Sequence, residues 1–203
     1  MSKKKLIIII VSLLVINVYT LFCFHQSKLH QSTSSHKGVS ENDERHSYKL
    51  NFMTNIQNSH VKLNKKVTLK DSLSNIFSFA DILNESREQI LVCRFSELHC
   101  ESCVNFSIQL LLQQTDTIGK NNILFLGAYR NNKIFNRVKQ LYGIHNQNVF
   151  NTAELNIPAE ELGYPYYLVL HNDLTISDVF VPDKAVPTIT KKYMEMISKR
   201  YFK

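Results

Sequence analysis

Residues 89–104 have the sequence Gln-Ile-Leu-Val-Cys-Arg-Phe-Ser-Glu-Leu-His-Cys-Glu-Ser-Cys-Val. The apolar run that ends at Phe95 is typical of a buried strand, and the residues after Cys103 have the apolar spacing of a helix. Cys100 is therefore expected where a helix begins, and the unpaired N–H groups there stabilise negative charge and lower the pKa of a thiol. This placement predicts that Cys100 attacks disulfides as a thiolate and that Cys103 resolves the mixed disulfide.

Helices and strands are predicted to alternate after the cysteine pair. They are, in chain order, a helix that ends before Gly119, a strand over 122–129, a helix that ends at Gly143, a strand over 163–170 that starts with a proline, an antiparallel strand over 174–181 and a last helix that starts near Pro187. A strand, a helix and a second strand in succession predict a right-handed parallel unit. Ahead of the pair, the sequence indicates short strands over 52–56 and 61–69 and a short helix or turn within 72–83. The folded domain is expected to cover 48–203.

The N-terminal residues predict a membrane anchor. Leu6 to Phe24 form a nearly continuous apolar run of 19 residues, preceded by three lysines. A run of this length spans a bilayer as a helix, and the lysines favour the cytoplasmic side. A cleaved signal peptide is the alternative, but the end of the run lacks a small-x-small cleavage site. Residues 1–24 are thus expected to anchor the chain in the cell membrane by a single pass, with the rest on the extracytoplasmic (periplasmic) side.

Residues 25–47 predict a flexible tether, because they are polar and rich in Ser, His and Gln and have no apolar period. A coil of this length spans roughly 25 Å on average, enough to hold a domain away from a membrane surface. The tether contains four histidines, at positions 25, 30, 36 and 46. Their irregular spacing favours solvated linker histidines over metal ligands.

Composition argues against two classes of protein. The chain has 24 Lys and Arg against 17 Asp and Glu, a net charge of +7, and three of the positive charges precede the apolar run. The remaining excess is spread out, without the basic stripe and interleaved aromatics that indicate nucleic-acid binding. Four cysteines in 203 residues are too few for a fold held together by disulfides.

The order of predicted elements resembles the thioredoxin fold, and in particular the membrane-anchored thiol-disulfide oxidoreductases of the TlpA/ResA type. The resemblance covers residues 60–203 and is carried by the strand Ile90–Phe95, the Cys100-to-Cys103 motif, the Tyr164-Pro165 pair and the hairpin over 166–181. It implies a three-layer α/β/α sandwich with a mixed central sheet, preceded by an N-terminal transmembrane helix. It also implies an enzyme that needs no cofactor.

The resemblance further implies roles for individual residues. Cys100 and Cys103 would be the catalytic attacking and resolving thiols. Tyr164 and Pro165 would bind substrate, with Pro165 in the cis form presenting the backbone of Tyr164 beside the cysteines. A cis bond before proline costs only about 0.5–1 kcal/mol.

Three residues in and beside the motif are expected to tune the redox potential. They are His99, Glu101 and Ser102. A histidine next to the pair stabilises the thiolate when it is charged. His99 replaces the usual tryptophan of the family, Ser102 replaces the common proline or histidine, and Phe106 stands where some ResA-type reductases have a carboxylate. These departures leave the direction of exchange open.

Alternatives remain open for several of these residues. The cysteine pair could form a structural disulfide, although so short a loop removes little entropy from the unfolded chain. It could also hold zinc or copper, with His99, His145 or His171 as further ligands, but no second motif supports a metal site. Cys93 is most simply a small core residue. The charged pair at 160 and 161 is most simply a solvated face.

Two hypotheses for function follow. In the first, the chain is an anchored extracytoplasmic oxidoreductase that exchanges disulfides with exported cysteine-containing proteins and draws electrons from a membrane partner. In the second, it is a thioredoxin-like binding or assembly module at the membrane with little or no redox turnover. The departures at residues 99, 102 and 106 motivate the second hypothesis.

Overall fold

The computed structural model describes residues 40–83 and 87–203. The predicted anchor over residues 6–24 and the tether up to residue 39 lie outside the described residues. Within the described ranges, no helix is both long and apolar enough to cross a bilayer. The helices are α1 (Glu41–Asn58), α2 (Phe79–Ile82), α3 (Glu101–Leu112), α4 (Thr115–Ile118), α5 (Asn132–Leu141) and α6 (Pro187–Tyr201), with 3₁₀ turns at Lys120–Asn122 and Pro158–Leu162.

One mixed sheet forms the centre of the domain. Its strands are β1 (Leu69–Lys70), β2 (Ile76–Phe77), β3 (Gln89–Ser96), β4 (Ile123–Ala128), β5 (Asn148–Asn151), β6 (Tyr166–His171) and β7 (Ile176–Phe180), in the spatial order β2-β1-β5-β4-β3-β6-β7. β3, β4 and β5 are parallel to one another, while β6 pairs antiparallel with β3 and with β7. The mixed sheet, with α3 connecting β3 to β4, fits the thioredoxin-like fold.

Two apolar clusters pack against the two faces of this sheet. Alternate residues of β3 point to opposite faces, as the pleat requires. Cys93 and its neighbours on one face contact α3, α5 and α6, whereas Ile90 and Val92 belong to the cluster on the other face. Gly127 of β4 lets α5 approach closely, because a Cβ there would lie 2.5 Å from the ring of Phe135.

The second face departs from the expected α/β/α sandwich. Its cluster is covered mostly by short segments, namely the helix α2, the 3₁₀ turn at Pro158–Leu162 and loop residues such as Leu63 and Ile157, with Leu50 the contribution of the long helix α1. Each of these segments contributes one or two apolar side chains. Short segments suffice here because the buried residues come from many separate parts of the chain.

Helix α1 covers the open edge of β7 with polar side chains. Asn51 accepts from the N–H of Val181 at 2.6 Å and donates to its carbonyl at 3.2 Å, and Asn55 accepts from the N–H of Val179 at 3.0 Å. Asn58 accepts from the N–H of Ala159 at 3.0 Å. The helix thus satisfies backbone groups that an exposed edge strand would otherwise offer to another chain.

Most elements predicted after residue 89 are confirmed. The strand before the cysteines, the parallel β3–α3–β4 unit, the helix that ends ahead of Gly143, the β6–β7 hairpin and the last helix from Pro187 are all present. β5 was not predicted, because its four residues, Asn148–Asn151, include two asparagines and only two apolar side chains.

The predictions before residue 89 are largely wrong. Residues 52–56 form part of α1 and not a strand, and α1 begins at Glu41, inside the segment expected to be tether. Over 61–69, Lys62 forms an isolated bridge and regular pairing starts only at Leu69. The segment 72–83 contains β2 and then α2, which begins after a capping box between Ser78 and Asp81.

Candidate active site

The cysteine pair lies at the carboxyl end of β3. Cys100 is the N-cap residue of α3, and its carbonyl accepts from the N–H groups of Cys103 and Val104, both at 3.0 Å. The structure therefore places the first sulfur at the mouth of a helix, as predicted. Cys100 is exposed and Cys103 is partly buried, and both are free thiols.

A chain of polar groups reaches the sulfur of Cys100. Lys184 Nζ donates to Ser102 Oγ at 2.6 Å, and Ser102 Oγ lies 3.2 Å from Cys100 Sγ. Because the serine oxygen accepts from the lysine, its own hydrogen is free to donate to the sulfur. This geometry supports the predicted tuning role of Ser102 and adds Lys184, which the sequence reasoning missed.

The pKa of the Cys100 thiol is lowered to about 7. The largest cause is hydrogen bonding from the Cys103 thiol, followed by the Ser102 hydroxyl, the backbone N–H of Cys103 and the charge of Lys184. The N–H of Cys103 faces the sulfur without the geometry of a capping hydrogen bond. A thiol with this pKa is substantially ionised at neutral pH and is a competent nucleophile.

Cys103 behaves in the opposite way. Burial raises the pKa of its thiol, and the hydrogen bond and charge interaction with Cys100 raise it further. At neutral pH Cys103 therefore keeps its proton, and the thiol that ionises is Cys100. The pair has the asymmetry that an attacking thiolate and a resolving thiol require.

His99 is neutral and organises the turn that leads into the pair. The ring Nδ1 of His99 accepts from the backbone N–H of Ser96, and the backbone N–H of His99 donates to the carbonyl of Ser96, each at 3.2 Å. Burial and then the charge of Arg94 lower the pKa of His99 to about 4. The prediction that a charged His99 stabilises the thiolate is therefore wrong, because the ring loses its proton well below neutral pH.

A buried ion pair lies behind this turn. The Nε and Nη2 atoms of Arg94 donate to the two carboxylate oxygens of Glu160 at 2.8 and 2.9 Å, and the side chains are 1% and 17% exposed. Arg94 also donates to the carbonyl of Ala153 at 2.9 Å, and the hydroxyl of Tyr166 donates to Glu160. Glu160 is thus not the solvated residue that the sequence suggested.

These contacts determine the charge state of Glu160. Burial alone would raise the pKa of its carboxyl, but hydrogen bonds and charge from Arg94, with the bond from Tyr166, hold the pKa below its usual value. The carboxylate stays ionised and matches the buried guanidinium. The two buried charges therefore compensate each other within the network.

Tyr164 and Pro165 lie at the same edge of the sheet as the cysteine loop. β6 pairs antiparallel with β3 with Tyr166 opposite Arg94, so the two residues before Tyr166 run beside the end of β3. Pro165 is buried and Tyr164 is half exposed. The peptide bond before Pro165 is trans, contrary to the prediction. Two residues earlier, Gly163 ends the 3₁₀ turn with a φ of +70°, in the left-handed region that glycine adopts readily.

A cavity of about 520 Å³ opens at Cys100. Its lining residues are Cys100, Glu101, Ser102, Asn105, Leu141 and Tyr142. Leu141 and, in the turn before the pair, Leu98 are exposed large apolar side chains. Glu101 is the first residue of α3 and faces this cavity, and its role in tuning stays a prediction. The surface beside the reactive sulfur thus has apolar contacts for a substrate chain.

The other sequence alternatives can be placed. Cys93 is fully buried, as expected, and burial strongly raises the pKa of its thiol. His171 is paired with Gln89, at the opposite end of β3 from the cysteines, and its Nε2 bonds Ser177 at 2.8 Å. His171 is therefore too far along the strand to share a metal with Cys100. Among the described residues, no cluster of three or more His, Cys, Asp or Glu side chains could hold a metal ion.

No protein-family model matches the chain, and no curated protein does. Solved structures to which it is similar include a thiol:disulfide interchange protein from Bacteroides sp., at 12% identity over 68% of this chain and 90% of that one, with a TM-score of 0.49. Another is the thioredoxin domain of a thiol-disulfide oxidoreductase from Bacteroides vulgatus, at 13% identity over 67% and 99%, with a TM-score of 0.45. A third is an uncharacterized thioredoxin-like protein from Porphyromonas gingivalis, at 11% identity over 70% and 95%, with a TM-score of 0.48. With identities and TM-scores this low, what the site does has to follow from its own geometry.

Proposed function

We propose that this protein is a membrane-anchored thiol-disulfide oxidoreductase that acts on exported cysteine-containing proteins. Cys100 and Cys103 form its redox centre. The observation that carries the proposal is the asymmetry of the pair: the exposed Cys100 thiol has its pKa lowered to about 7, while the partly buried Cys103 thiol has its pKa raised. A structural pair needs neither an exposed nucleophile nor a polar group aimed at its sulfur.

In one reductive cycle the two thiols of Cys100 and Cys103 reduce one substrate disulfide and become a disulfide themselves. The Cys100 thiolate attacks one sulfur of a substrate disulfide, the substrate S–S bond breaks, and the departing substrate thiolate takes up a proton. Cys103 then loses its proton, and its thiolate attacks Cys100 Sγ in the mixed disulfide. The second substrate thiol leaves, and the two cysteines are joined by a disulfide. Two electrons pass to the substrate, and a dithiol partner at the membrane restores them.

The surroundings of the two thiols control their charge in different ways. Ser102 and Lys184 stabilise the charge on Cys100 in the resting enzyme and again when the partner's dithiol releases Cys100 during regeneration. Burial keeps Cys103 protonated until the mixed disulfide has removed the negative charge from its neighbour. The exposed side chains of Leu98, Leu141 and Tyr164 supply the surface against which a substrate segment lies.

The test is reduction of insulin by the purified chain with a dithiol donor. We expect Cys100→Ser to abolish turnover and Cys103→Ser to accumulate a mixed disulfide with substrate that runs as a higher-mass species without reductant. Cys93→Val is the matched control, because Cys93 is buried away from solvent, and it should retain activity. Parent protein without turnover, or equal turnover in the Cys100→Ser variant, would contradict the proposal.

A second experiment addresses location and separates the redox enzyme from a binding module. In intact cells, a membrane-impermeant maleimide should label Cys100, and labelling should rise after treatment with an external reductant if the pair cycles. Labelling only after lysis would contradict the extracytoplasmic location. A pair that stays in one redox state in growing cells would favour the binding or assembly module.

A further inference from the structure

Apart from Leu50, which is partly buried against the sheet, helix α1 turns its polar side chains inward and its large apolar side chains outward. The buried residues of the helix are Ser47, Asn51, Thr54 and Asn58. This is the reverse of a normal surface helix, which buries its apolar stripe. We propose that the outward face of α1 docks on the surface of a lipid bilayer, the one in which the N-terminal apolar run is anchored; the inference rests on the anchoring part of the proposed function.

The outward face has one continuous apolar stripe. Tyr48, Phe52 and Ile56 are 49%, 65% and 56% exposed and follow each other at a spacing of four residues, and Met53 beside them is 45% exposed. Residues four apart lie on the same side of a helix. Four large apolar side chains within nine residues of one helix form a patch, whereas single exposed apolar residues are ordinary.

The fold itself does not require this stripe. Helix α1 is held to β7 by the side chains of Asn51 and Asn55 and to Ala159 by Asn58. Those hydrogen bonds would be equally good with serine, lysine or glutamine on the outward face. The exposed apolar residues of α1 therefore indicate a contact with a surface outside the domain.

The flanking charges fit the headgroup region of a bilayer. Arg45 and Lys49 lie three residues before Tyr48 and Phe52, so their side chains border the stripe, and both are exposed. Aromatic side chains with adjacent basic residues are typical of helices that lie in the interface, with the rings at the level of the headgroups. The acidic residues of the helix, Glu41, Asp43 and Glu44, all lie in its first turn. Glu41 pairs with Arg45 at 3.2 Å, and Glu44, four residues before Tyr48, closes the N-terminal end of the stripe.

The position of α1 in the sequence points to the same occupant. The apolar run ends at Phe24 and α1 starts at Glu41, so only sixteen residues separate them. That length reaches at most about 55 Å when extended and about 22 Å as a coil. A bilayer that holds the apolar run is therefore within reach of α1. Residues 25–40 include only two large aliphatic side chains, Leu29 and Val39, too few to cover the stripe.

The absence of tryptophan from the sequence makes single-tryptophan variants clean probes. Phe52→Trp places the reporter in the centre of the stripe. Leu73→Trp is the matched control: Leu73 is 82% exposed and lies in the β1–β2 turn, at the opposite edge of the seven-stranded sheet. Six strand spacings separate the two edges, about 29 Å. Both variants replace an exposed apolar residue, so both should fold.

The experiment uses the full chain reconstituted in vesicles of phosphatidylcholine with a minority of phosphatidylglycerol. In vesicles whose phosphatidylcholine is brominated in the acyl chains, we expect Trp fluorescence of the Phe52→Trp variant to be quenched at least about twofold, with emission shifted to the blue. The Leu73→Trp variant should be unaffected. Equal quenching of both variants, or none in either, would overturn the proposal.

Two further outcomes are distinguishable. A blue shift at position 52 without quenching by bromolipid, together with a doubled mass in detergent, would overturn the proposal in favour of a second copy of the chain on the stripe. If the full chain failed to float with vesicles, the anchoring part of the proposed function would fail as well. Floating without quenching at position 52 would overturn only the docking of α1. Insulin reduction, measured in parallel, reports on the redox centre independently of both.

Discussion

Replacing Ser102 with alanine removes the hydroxyl that links Lys184 to Cys100. Ser102 Oγ is 3.2 Å from the Cys100 sulfur and 2.6 Å from Lys184 Nζ, so the substitution deletes a donor to the thiolate and disconnects the ammonium group. The pKa of Cys100, about 7 in the parent, should rise. Ser102 and Lys184 are two of the four groups that lower the pKa of Cys100, so losing both should raise this pKa by about one unit.

The Ser102→Ala substitution should slow the alkylation of Cys100 at neutral pH and accelerate it at high pH. At pH 7 a thiol of pKa about 7 is half ionised, and a rise of about one unit leaves about one tenth as thiolate, a fivefold loss. The remaining thiolate is more basic and about threefold more nucleophilic, since the Brønsted coefficient is about 0.4–0.5. Alkylation of Cys100 should therefore slow about twofold at pH 7 and quicken about threefold at pH 10, where both proteins are ionised.

Alkylation by iodoacetamide, followed across pH with peptide mapping to identify Cys100, measures this effect. Ser102→Thr is the control, because it keeps the hydroxyl and should keep the parent profile. Lys184→Gln should shift the profile in the same direction as Ser102→Ala. Since Lys184 is exposed, its contribution should shrink at high salt. A Ser102→Ala variant that is slower by the same factor at every pH would refute the reasoning, because its defect would not lie in ionisation.

Three other substitutions test the scaffold of the site by urea unfolding. His99 has a folded-state pKa of about 4, below its unfolded value, so its contribution to stability is complete above about pH 6.5 and is lost as the pH falls toward 4. Over that range the free energy of unfolding should fall by about 1–2 kcal/mol more in the parent than in His99→Asn, a figure reduced because the ring is partly exposed. Arg94→Met should cost about 3–5 kcal/mol because it leaves Glu160 buried and unpaired, and adding Glu160→Leu should recover most of the loss. Asn51→Leu should cost about 2–4 kcal/mol despite its greater apolarity, because the N–H and carbonyl of Val181 lose their partner; an unchanged midpoint would show that water replaces the asparagine.

The parts of the fold that the sequence predicts correctly are those in which burial follows one simple period. β3, β4 and β6 are each buried along nearly their whole length, so each is a short apolar run that can be recognised without knowing its neighbours. In α5 the apolar residues repeat at helical spacing, and Gly143 with φ of +70° ends the turn after it. These elements also fix the position of Cys100 at a helix start.

Helix α1 could not be predicted in this way, because its packing reverses the usual relation between apolarity and burial. Apolar residues over 52–56 suggested a strand, while the residues that hold the helix in place are asparagines. Asparagine is a poor helix former in isolation, and its value here depends on β7, which lies more than a hundred residues later in the sequence. No local pattern contains that information.

The same limit applies to the active site. The motif itself identified Cys100 and Cys103, and Ser102 was available because it lies between them. Lys184 lies 82 residues further along, in the loop after β7, and a single exposed lysine between Asp183 and Ala185 gives no signal of its function. Glu160 was equally hidden, because a Glu-Glu pair in an irregular segment is usually solvated.

The distribution of charge around the site gives the buried and exposed groups different roles. Arg94 is the nearest basic residue to the pair in the sequence, but Glu160 compensates its charge and His99 in between is neutral. The thiolate is instead stabilised by Cys103, through its thiol and backbone N–H, and by Ser102 and Lys184 on the exposed side. The buried Arg94–Glu160 ion pair instead holds two segments of the chain together. Arg94 lies in the strand that leads into the cysteine loop, and Glu160 lies in the turn that leads into Tyr164, so their bidentate contact sets the spacing between the nucleophile and the segment expected to bind substrate.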